Sequence, residues 1–562
     1  MRILLIPPIF HYKDAFPTLL SASDFPSGFA YVASALEKAG HTVYGLNLNN
    51  KLGFKTGYDL ASDKIPKAID KVKPDLIGLG GLCTDYHFIK DAIEIIRKSS
   101  KVPIVLGGGI VNNDAEFIFN LLKPDYAIIG EGEETIVRLV NSLQELTKAT
   151  QDNGSGSITC TVSTMDGSKG FMGNALQFLV GDLSGIPNML FWKDNKAVST
   201  EYIFSSGDIN EIPFPDYEPF GVREMIDDYS MATRLLYRYS RQYPRPYNII
   251  TSRGCPFRCS FCVDESHKRS PYRARSMDNI FAEIKESYEQ YKYNILIILD
   301  ELFVANKKRM REFCERLIQE KKTNEWDFDW MFQTHANAHL DLESLKLAKE
   351  AGCYFFSYGL ESCSQRILDS MKKKTKVAQA VEAVRLAEEA NVGFGGNIIF
   401  GDPAETEETI SESLSVWYEH FRSAMVFLSF VQAYPGSKLF DCCTEKGIIK
   451  DKKYYYEHID EGLFNMTSIP DDILNKWMSL INTIERSWLQ VKTAYGTCEE
   501  DKEALEVKYL TLTGTKMYKL KAKCPYCGEE VVYRQAFADK DKDRGIGVGC
   551  VKCNKRIKVI IK

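Results

Sequence analysis

The sequence predicts an α/β protein of several domains. It opens with a doubly wound parallel sheet, continues into a partial (β/α)6 barrel, and ends in a small helical segment and a four-cysteine module. Three observations carry this expectation. Residues 1–145 alternate short apolar runs with amphipathic stretches, the pattern of a parallel sheet covered on both faces. From about Arg245 the same alternation returns with six strand-helix units and no clear seventh or eighth, which leaves a barrel open on one side. Two Cys-x-x-Cys pairs then stand close to the C-terminus. A chain of 562 residues exceeds what one hydrophobic core organises. The expected divisions are 1–145, an insertion and connector over 146–240, the barrel over 241–450, a helical segment over 451–515 and the cysteine module over 516–562.

In the first region the strand candidates are Ile3–Ile6, Thr42–Leu48, Leu76–Gly80, Ile104–Leu106 and Tyr126–Ile129, with helical patterns such as Gly28–Ala39 and Phe88–Lys98 between them. Glycines follow three of these strands, as Gly80-Gly81, Gly107-Gly108-Gly109 and Gly130-Glu131-Gly132-Glu133. They fall at the carboxyl ends, where open α/β sheets bind ligands; taken singly each is a tight strand-to-helix turn. Gln151–Lys169 (QDNGSGSITCTVSTMDGSK) reads as a polar, mobile loop. Phe191–Phe220 ends in IPFPDYEPF, whose prolines favour extended backbone. In the barrel the strand candidates are Tyr247–Ser252, Ile295–Leu299, Trp330–Gln333, Tyr354–Tyr358, Phe394–Phe400 and Val426–Val431. Asp471–Tyr495 is helical in pattern, with Trp477, Met478, Ile481 and Trp488 on one packing stripe.

Composition excludes some classes. Hydrophobic content of 44% and charged content of 26% are those of an ordinary globular protein. No apolar run reaches 18 residues, so no membrane span is expected. MRILLIPPIF reads as a buried strand and not as a signal peptide. The net charge of −5 argues neither for nor against a polyanionic partner. Fifteen cysteines without a secretion signal suggest a reducing compartment, the cytoplasm, where clustered thiols mean metal more often than disulfide.

The chemistry concentrates in TSRGCPFRCSFCVDE, where Cys255, Cys259 and Cys262 sit on one loop after the first barrel strand. Structural zinc and ordinary iron–sulfur sites use four protein ligands. Three thiolates leave one iron of a cubane cluster open to an exogenous ligand. The plain alternatives are an incidental grouping or a zinc site completed by His267.

CPFRCSFC, with Phe261 just before the third cysteine, resembles the signature of the radical S-adenosylmethionine (SAM) superfamily. That resemblance implies a 4Fe–4S cluster whose open iron binds SAM. It continues through LDELF (Asp300, Glu301), YGLES (Gly359, Glu361, Ser362), IIFGDPAET (Gly401, Pro403, Glu405) and AYPGSKLF, each closing a barrel strand. It implies SAM contacts at Phe261, Asp300, Glu301, Gly359, Glu361, Ser362 and Gly401. Carboxylates suit the ammonium and ribose hydroxyls of SAM, though singly each is as well explained as a helix cap or a solvated acid. Where many relatives carry an arginine, this chain has His335 in QTHANAHLD. An imidazole can be neutral near pH 7 and a guanidinium cannot, so His335 is either a proton donor or a packing residue.

The first region is similar to the cobalamin-binding, Rossmann-like domain of cobalamin-dependent radical SAM enzymes, through LLIPP, FPSGFAYVASALEKAGH, PDLIGLGG, PIVLGGG and DYAIIGEGEET. The resemblance covers 1–145 and about 185–450. It implies cobalamin contacts at Gly28, Thr84, Gly107, Gly108, Gly109, Gly130, Glu131, Gly132 and Glu133. The Asp-x-His-x-x-Gly motif of a lower histidine ligand is absent: in Asp85-Tyr86-His87, Lys90 stands where glycine should be. Asp85 is expected to cap a helix.

At the far end, Cys524, Cys527, Cys550 and Cys553 form a zinc-ribbon pattern, with rubredoxin-like iron or an auxiliary cluster as alternatives. Residues 516–562 carry 13 Lys and Arg against 5 Asp and Glu; such a face either holds an anionic substrate or is simply solvated. Among the other cysteines, Cys363 and Cys443 lie near strand ends and are candidate acceptors or acids.

The resemblance implies a methyltransferase acting on an unactivated carbon through a 5′-deoxyadenosyl radical and methylcobalamin. Cyclisation, ring contraction or rearrangement without methyl transfer is the alternative, and a non-catalytic cobalamin or SAM binding protein is the third. The implied partners are a small-molecule or carrier-bound substrate and an electron donor such as flavodoxin or ferredoxin; nucleic acid is not expected.

Overall fold

A computed structural model describes residues 1–13, 20–51, 53–152, 183–204, 207–227, 241, 244–263, 271–338, 340–459, 464–487, 492–500, 517–537, 546–550, 552–553 and 555–561. Most of the polar insertion, together with Cys160, His267 and Trp488, lies outside them.

The first sheet is built on β1 (Arg2–Ile6), β2 (Thr42–Gly45), β3 (Leu76–Gly80), β4 (Ile104–Gly107) and β5 (Tyr126–Ile128), all parallel, in the order β2-β1-β3-β4-β5. Period-two alternation deals their side chains to two cores. Ile3, Leu5 and Val105 join α1 (Ser27–Lys38) and α5 (Gly132–Asp152) on one face. Leu4, Ile6, Ile77 and Leu106 join α2 (Gly57–Val72), α3 (Tyr86–Ser99) and α4 (Gly109–Leu122) on the other. The stretch read as connector adds two antiparallel strands to this sheet, β6 (Met189–Lys193) and β7 (Lys196–Ser199). Trp192 anchors β6, its indole N–H donating to Pro124 O at 2.7 Å and its ring stacking on Phe119.

The second sheet holds six parallel strands in the order β15-β14-β13-β12-β11-β8. They are β8 (Pro246–Ile249), β11 (Ile295–Ile298), β12 (Asp329–His335), β13 (Cys353–Glu361), β14 (Gly393–Phe400) and β15 (Met425–Phe430). A short hairpin, β9 (Ser252–Arg253) with β10 (Arg273–Ala274), follows β8 and closes the base of the cysteine loop. Leu296, Ile298, Trp330, Phe332, Phe356 and Val426 face the helices in the same core as α1 and α5. Ile295, Ile297, Met331, Phe355 and Met425 form a separate cluster on the opposite face. The barrel stays open between its end strands β8 and β15. The helix Asp471–Ser487 lies beside β15, and Glu485 accepts the Leu428 N–H at 3.1 Å.

That helix is described over Asp471–Ser487, and residues 493–495, which the predicted helical stretch included, belong instead to β16 (Thr493–Glu500). This strand joins a five-stranded sheet with β17 (Met517–Lys523), β18 (Glu530–Phe537), β19 (Ile546–Gly549) and β20 (Arg556–Ile561), in the order β18-β17-β16-β20-β19. Arg556 fixes this sheet to the barrel. It is fully buried, its N–H donates to Ser423 O at 2.8 Å, its guanidinium lies 5.1 Å from the Phe427 ring centroid, and Nη2 is 3.5 Å from Glu485 Oε1.

The segment after β15 docks on the first domain. Gly436, at φ +89°, would place an added Cβ 2.8 Å from Asn113 Cβ and 3.0 Å from Asn113 Cα. Gly436→Ala is expected to destabilise the protein by about 2–5 kcal/mol, the sum of a left-handed backbone penalty and overpacking. Urea unfolding monitored on the full chain checks this. An Asn113→Gly background should recover only the part of the steric cost that comes from the Asn113 side chain, leaving the contact with its Cα and the backbone part.

No helix among the described residues is long and apolar enough to cross a membrane.

Candidate cofactor sites at the strand ends

Because all six barrel strands run the same way, their carboxyl ends gather the cysteine loop, Asp300-Glu301, His335, Glu361-Ser362 and Gly401 at one end. Within the loop, Cys259 is buried and Cys255 and Cys262 are half-buried. The Cys262 N–H donates to Cys259 O at 3.1 Å, making a tight turn between the two. Ser260 holds the loop on both sides, its N–H donating to Met371 O at 3.0 Å and its carbonyl accepting from Leu439 N at 2.8 Å.

Asp300 lies beneath the loop. It is fully buried and accepts from Thr251 N (2.6 Å), Thr251 Oγ1 (2.5 Å) and Ser252 Oγ (2.6 Å). Burial raises its pKa against the pull of those donors. Both carboxylate oxygens are therefore turned to the TSR segment, which makes Asp300 a brace for the loop base. Glu301 is exposed at the same strand end.

His335 stacks on Phe257 of the loop, with ring centroids 3.7 Å apart and planes 11° apart. Burial and then the Lys373 charge lower its pKa to about 3, so the ring is neutral. Between about pH 6.5 and 3 the unfolded chain binds the proton that the folded ring refuses. Its contribution to stability is thus intact above pH 6.5 and lost as the pH falls through that window. The urea midpoint of the wild type should fall more steeply in that range than that of His335→Gln; equal slopes would overturn the assignment.

Glu361 sits at φ +66° beside a register shift between Gly359 and Glu361 in the β13–β14 ladder. Bulges and non-glycine residues at positive φ cluster at functional sites. Its carboxylate pairs with Lys373 Nζ at 2.8 Å, and the two side chains are only 12% and 6% exposed. A Cβ added to Gly359 would lie 2.5 Å from Glu361 Oε1 and 2.7 Å from Lys373 Nζ, so only glycine admits this pair over the strand. Burial lowers the Lys373 pKa, and Glu361 with the Cys259 and Cys262 thiols more than restores it. Lys373 also lies 6.0 Å from the Phe261 ring. Sequence reasoning missed Lys373: it stands in a run of three lysines after a helix, and nothing local distinguishes the one that turns inward.

The other residues expected to contact SAM lie at the same end of the barrel. Ser362 is buried against Ser413 Oγ at 3.2 Å and accepts from Ser364 N at 3.1 Å. Gly401 takes φ +102°, and its N–H donates to Glu405 at 3.2 Å. Burial raises the Glu405 pKa to about 7. Cys363 and Cys443 are buried, and burial raises their thiols to about 12 and about 11; both are protonated at neutral pH.

On the first domain, the carboxyl ends of the adjacent strands β3, β4 and β5 bring the three glycine runs onto one edge. A Cβ at Gly107 or Gly28 would meet nothing within 4 Å, and Leu82, whose Cδ2 lies 3.0 Å from a Cβ placed on Gly109, is 59% exposed. Gly108 at φ +83° packs on Gly81, where a Cβ would come 2.9 Å from the carbonyl oxygen. An open glycine edge beside an exposed leucine suits a flat, largely apolar ring system. Thr84 lies half-buried on the short turn that follows β3. The carboxylates of Glu131 and Glu133 do not face this edge. They pair with Arg253 and Arg273 of the β9–β10 hairpin, because opposite charge across the domain boundary captures them. Asp85 makes no side-chain cap on α3; its carboxylate turns back to the Leu82 N–H at 2.7 Å. His87 Nε2 lies 3.0 Å from Glu457 O, and Lys90 pairs with Glu457 at 3.7 Å, so neither belongs to the glycine edge.

At the other end of the chain, Cys524, Cys527, Cys550 and Cys553 converge, with Sγ–Sγ distances of 3.8 Å for Cys524–Cys553 and 3.7 Å for Cys527–Cys550. A tetrahedron with metal–sulfur bonds of about 2.3 Å has edges of about 3.8 Å, so the four thiols fit one zinc ion.

The sequence matches the Radical SAM superfamily over residues 249–416 and the B12 binding domain over residues 24–140. It is 26% identical to an anaerobic magnesium-protoporphyrin IX monomethyl ester cyclase of Cereibacter sphaeroides, over 81% of this chain and 66% of the cyclase. It is 25% identical to an uncharacterized methyltransferase of Pyrococcus horikoshii, over 80% of this chain and 84% of that protein. The fold resembles the radical SAM methyltransferase TsrM of Kitasatospora setae, solved with cobalamin and a [4Fe-4S] cluster bound, with a TM-score of 0.56 and 17% identity over 79% of this chain and 75% of that one. The cysteine loop lies in the stretch that matches the Radical SAM superfamily and the glycine-edged sheet in the stretch that matches the B12 binding domain, so the chain carries both domains.

Proposed function

We propose that the enzyme transfers a methyl group to an unactivated carbon of a small-molecule or carrier-bound substrate. The observation that carries this reading is the direct bonding of the cysteine-loop base to the end of β5, which sets the two cofactor domains against each other. When bound, the cluster with SAM supplies a 5′-deoxyadenosyl radical and cobalamin supplies a carrier for the methyl group.

The chain's own residues hold and orient these groups. Cys255, Cys259 and Cys262 would ligate three irons, and a set of three thiolates would leave the fourth iron for SAM. The amino-acid end of SAM is a zwitterion, and the buried Glu361–Lys373 pair offers one partner to each of its charges. Neutral His335 supports the loop from below. Gly107 and Gly28 leave room for the corrin, and Leu82 offers it an apolar contact. The four C-terminal cysteines would hold zinc as a structural ion. The likeness to a cyclase favours ring closure without methyl transfer as the second reading. An external flavodoxin or ferredoxin as electron donor, and a cytoplasmic location, complete the proposal.

Isotope-labelled SAM decides between the two readings. Methyl transfer yields S-adenosylhomocysteine, 5′-deoxyadenosine and a labelled methylated product. Formation of 5′-deoxyadenosine alone, with an unmethylated product, would support cyclisation and sink methyl transfer.

A further inference from the structure

Arg253 and Arg273 are direct cross-strand partners in the β9–β10 hairpin. Like charges directly opposite each other destabilise a strand pair, and an isolated two-strand ribbon is marginal in any case. Their side chains are only 17% and 11% exposed, so solvent does little to screen the repulsion. The countercharges come from the other domain. Glu133 Oε1 lies 2.6 Å from Arg253 Nη2, Glu131 Oε2 lies 3.3 Å from Arg253 Nη1, and Glu131 also pairs with Arg273. The Arg253 guanidinium additionally covers the Tyr31 ring of α1 at 5.1 Å. The two acids stand at the N-terminus of α5, where negative charge is favoured. Arg253 precedes Cys255 by two positions, and Glu131 follows β5 at the glycine edge.

We propose that these four residues form an electrostatic latch. The hairpin at the base of the cysteine loop closes only when the end of β5 is docked against it, and the latch thereby fixes the spacing between the loop and the glycine edge. All four are positioning residues. The functional consequence rests on the two-cofactor reading above; the latch itself does not.

The test uses hydrogen exchange on the full chain with Glu131→Gln/Glu133→Gln, alongside the full charge swap Arg253→Glu/Arg273→Glu/Glu131→Arg/Glu133→Arg. Neutralising the acids should speed exchange roughly tenfold in two segments at once, at 251–253 with 273–275 and at 129–133, while the barrel strands keep wild-type protection. The swap should restore protection in both. Should the double variant not fold, Glu131→Gln alone and the swap carry the comparison. Unchanged exchange at the hairpin, or a swap as labile as the neutralised protein, overturns the latch.

A second readout is the relaxation enhancement of the cob(II)alamin electron spin by the reduced cluster in reconstituted protein. It should be uniform in the wild type and heterogeneous in the neutralised variant; equal relaxation overturns the proposal. A wild type that binds a cluster but no cobalamin sinks the methyl-transfer reading, and the exchange result still decides the latch.

Discussion

Alanine in place of any one of Cys255, Cys259 or Cys262 is expected to reduce reductive SAM cleavage to the level of the enzyme-free control. The three thiols lie on one loop held at both sides of Ser260, by Met371 and by Leu439, and no other described cysteine lies on that loop to replace a lost ligand. Two remaining thiolates leave two irons of a cubane exposed, and the cluster then loses iron. Lys373, whose charge answers Glu361 and the Cys259 and Cys262 thiols, would lose part of its countercharge when either of those thiols is removed. Each variant should therefore show lost iron and sulfide content, lost visible absorption and no 5′-deoxyadenosine with a strong chemical reductant. Folding should persist, because the hairpin, Asp300 and the barrel core are untouched. A variant that keeps full SAM cleavage would place the cluster elsewhere in the chain.

The second large effect is expected at the C-terminal thiols. Removing the metal, by chelation or by Cys550→Ser, should unfold the five-stranded module. Among the described residues its core is small: the buried cluster is Ala494, Leu520, Ala522, Cys524, Val531, Cys550, Ile557 and Val559, so two of the four candidate metal ligands are part of it. A core of that size does not hold a sheet without a staple. Zinc bound by four thiolates supplies about 10–16 kcal/mol to comparable small modules. The loss should also reach the barrel, because Arg556 leaves Phe427 and Glu485, and Glu485 is the partner of the Leu428 N–H on the open edge. Elemental analysis should give one zinc per chain, and metal-free protein should be cut by protease beyond Ser487. Metal-free protein that keeps exchange protection in β16 and β20 would overturn this account.

Much of the fold is legible in the sequence because parallel strands buried on both faces write themselves as short apolar runs. Leu76–Gly80 appears as predicted, and β12 and β13 extend their predicted cores by one to three residues at each end. Less legible are elements whose identity comes from their neighbours. The polar, alternating β6 and β7 gain their place only by pairing with β5. Residues 493–495 leave the predicted helical stretch for β16, where Thr493 finds Lys558 of β20 across the module. Both pairings join segments far apart in the chain, and neither leaves a local periodicity to read.

The same division holds for the sites. Spacing marked the cysteine loop and each C-terminal Cys-x-x-Cys pair, because thiols on one tight turn are close in sequence; that the two C-terminal pairs meet is the work of the sheet between them. Strand-end position gathered Glu361, Ser362 and Gly401 with the loop. Only the tertiary structure decided which charges meet: Lys373 with Glu361, Asp300 with the loop base, Arg556 with Glu485, and Arg253 and Arg273 with Glu131 and Glu133. The last of these contacts span 120 and 142 residues of chain. An ion pair needs only opposite charge and proximity, and proximity across domains is a product of packing that one-dimensional order does not record.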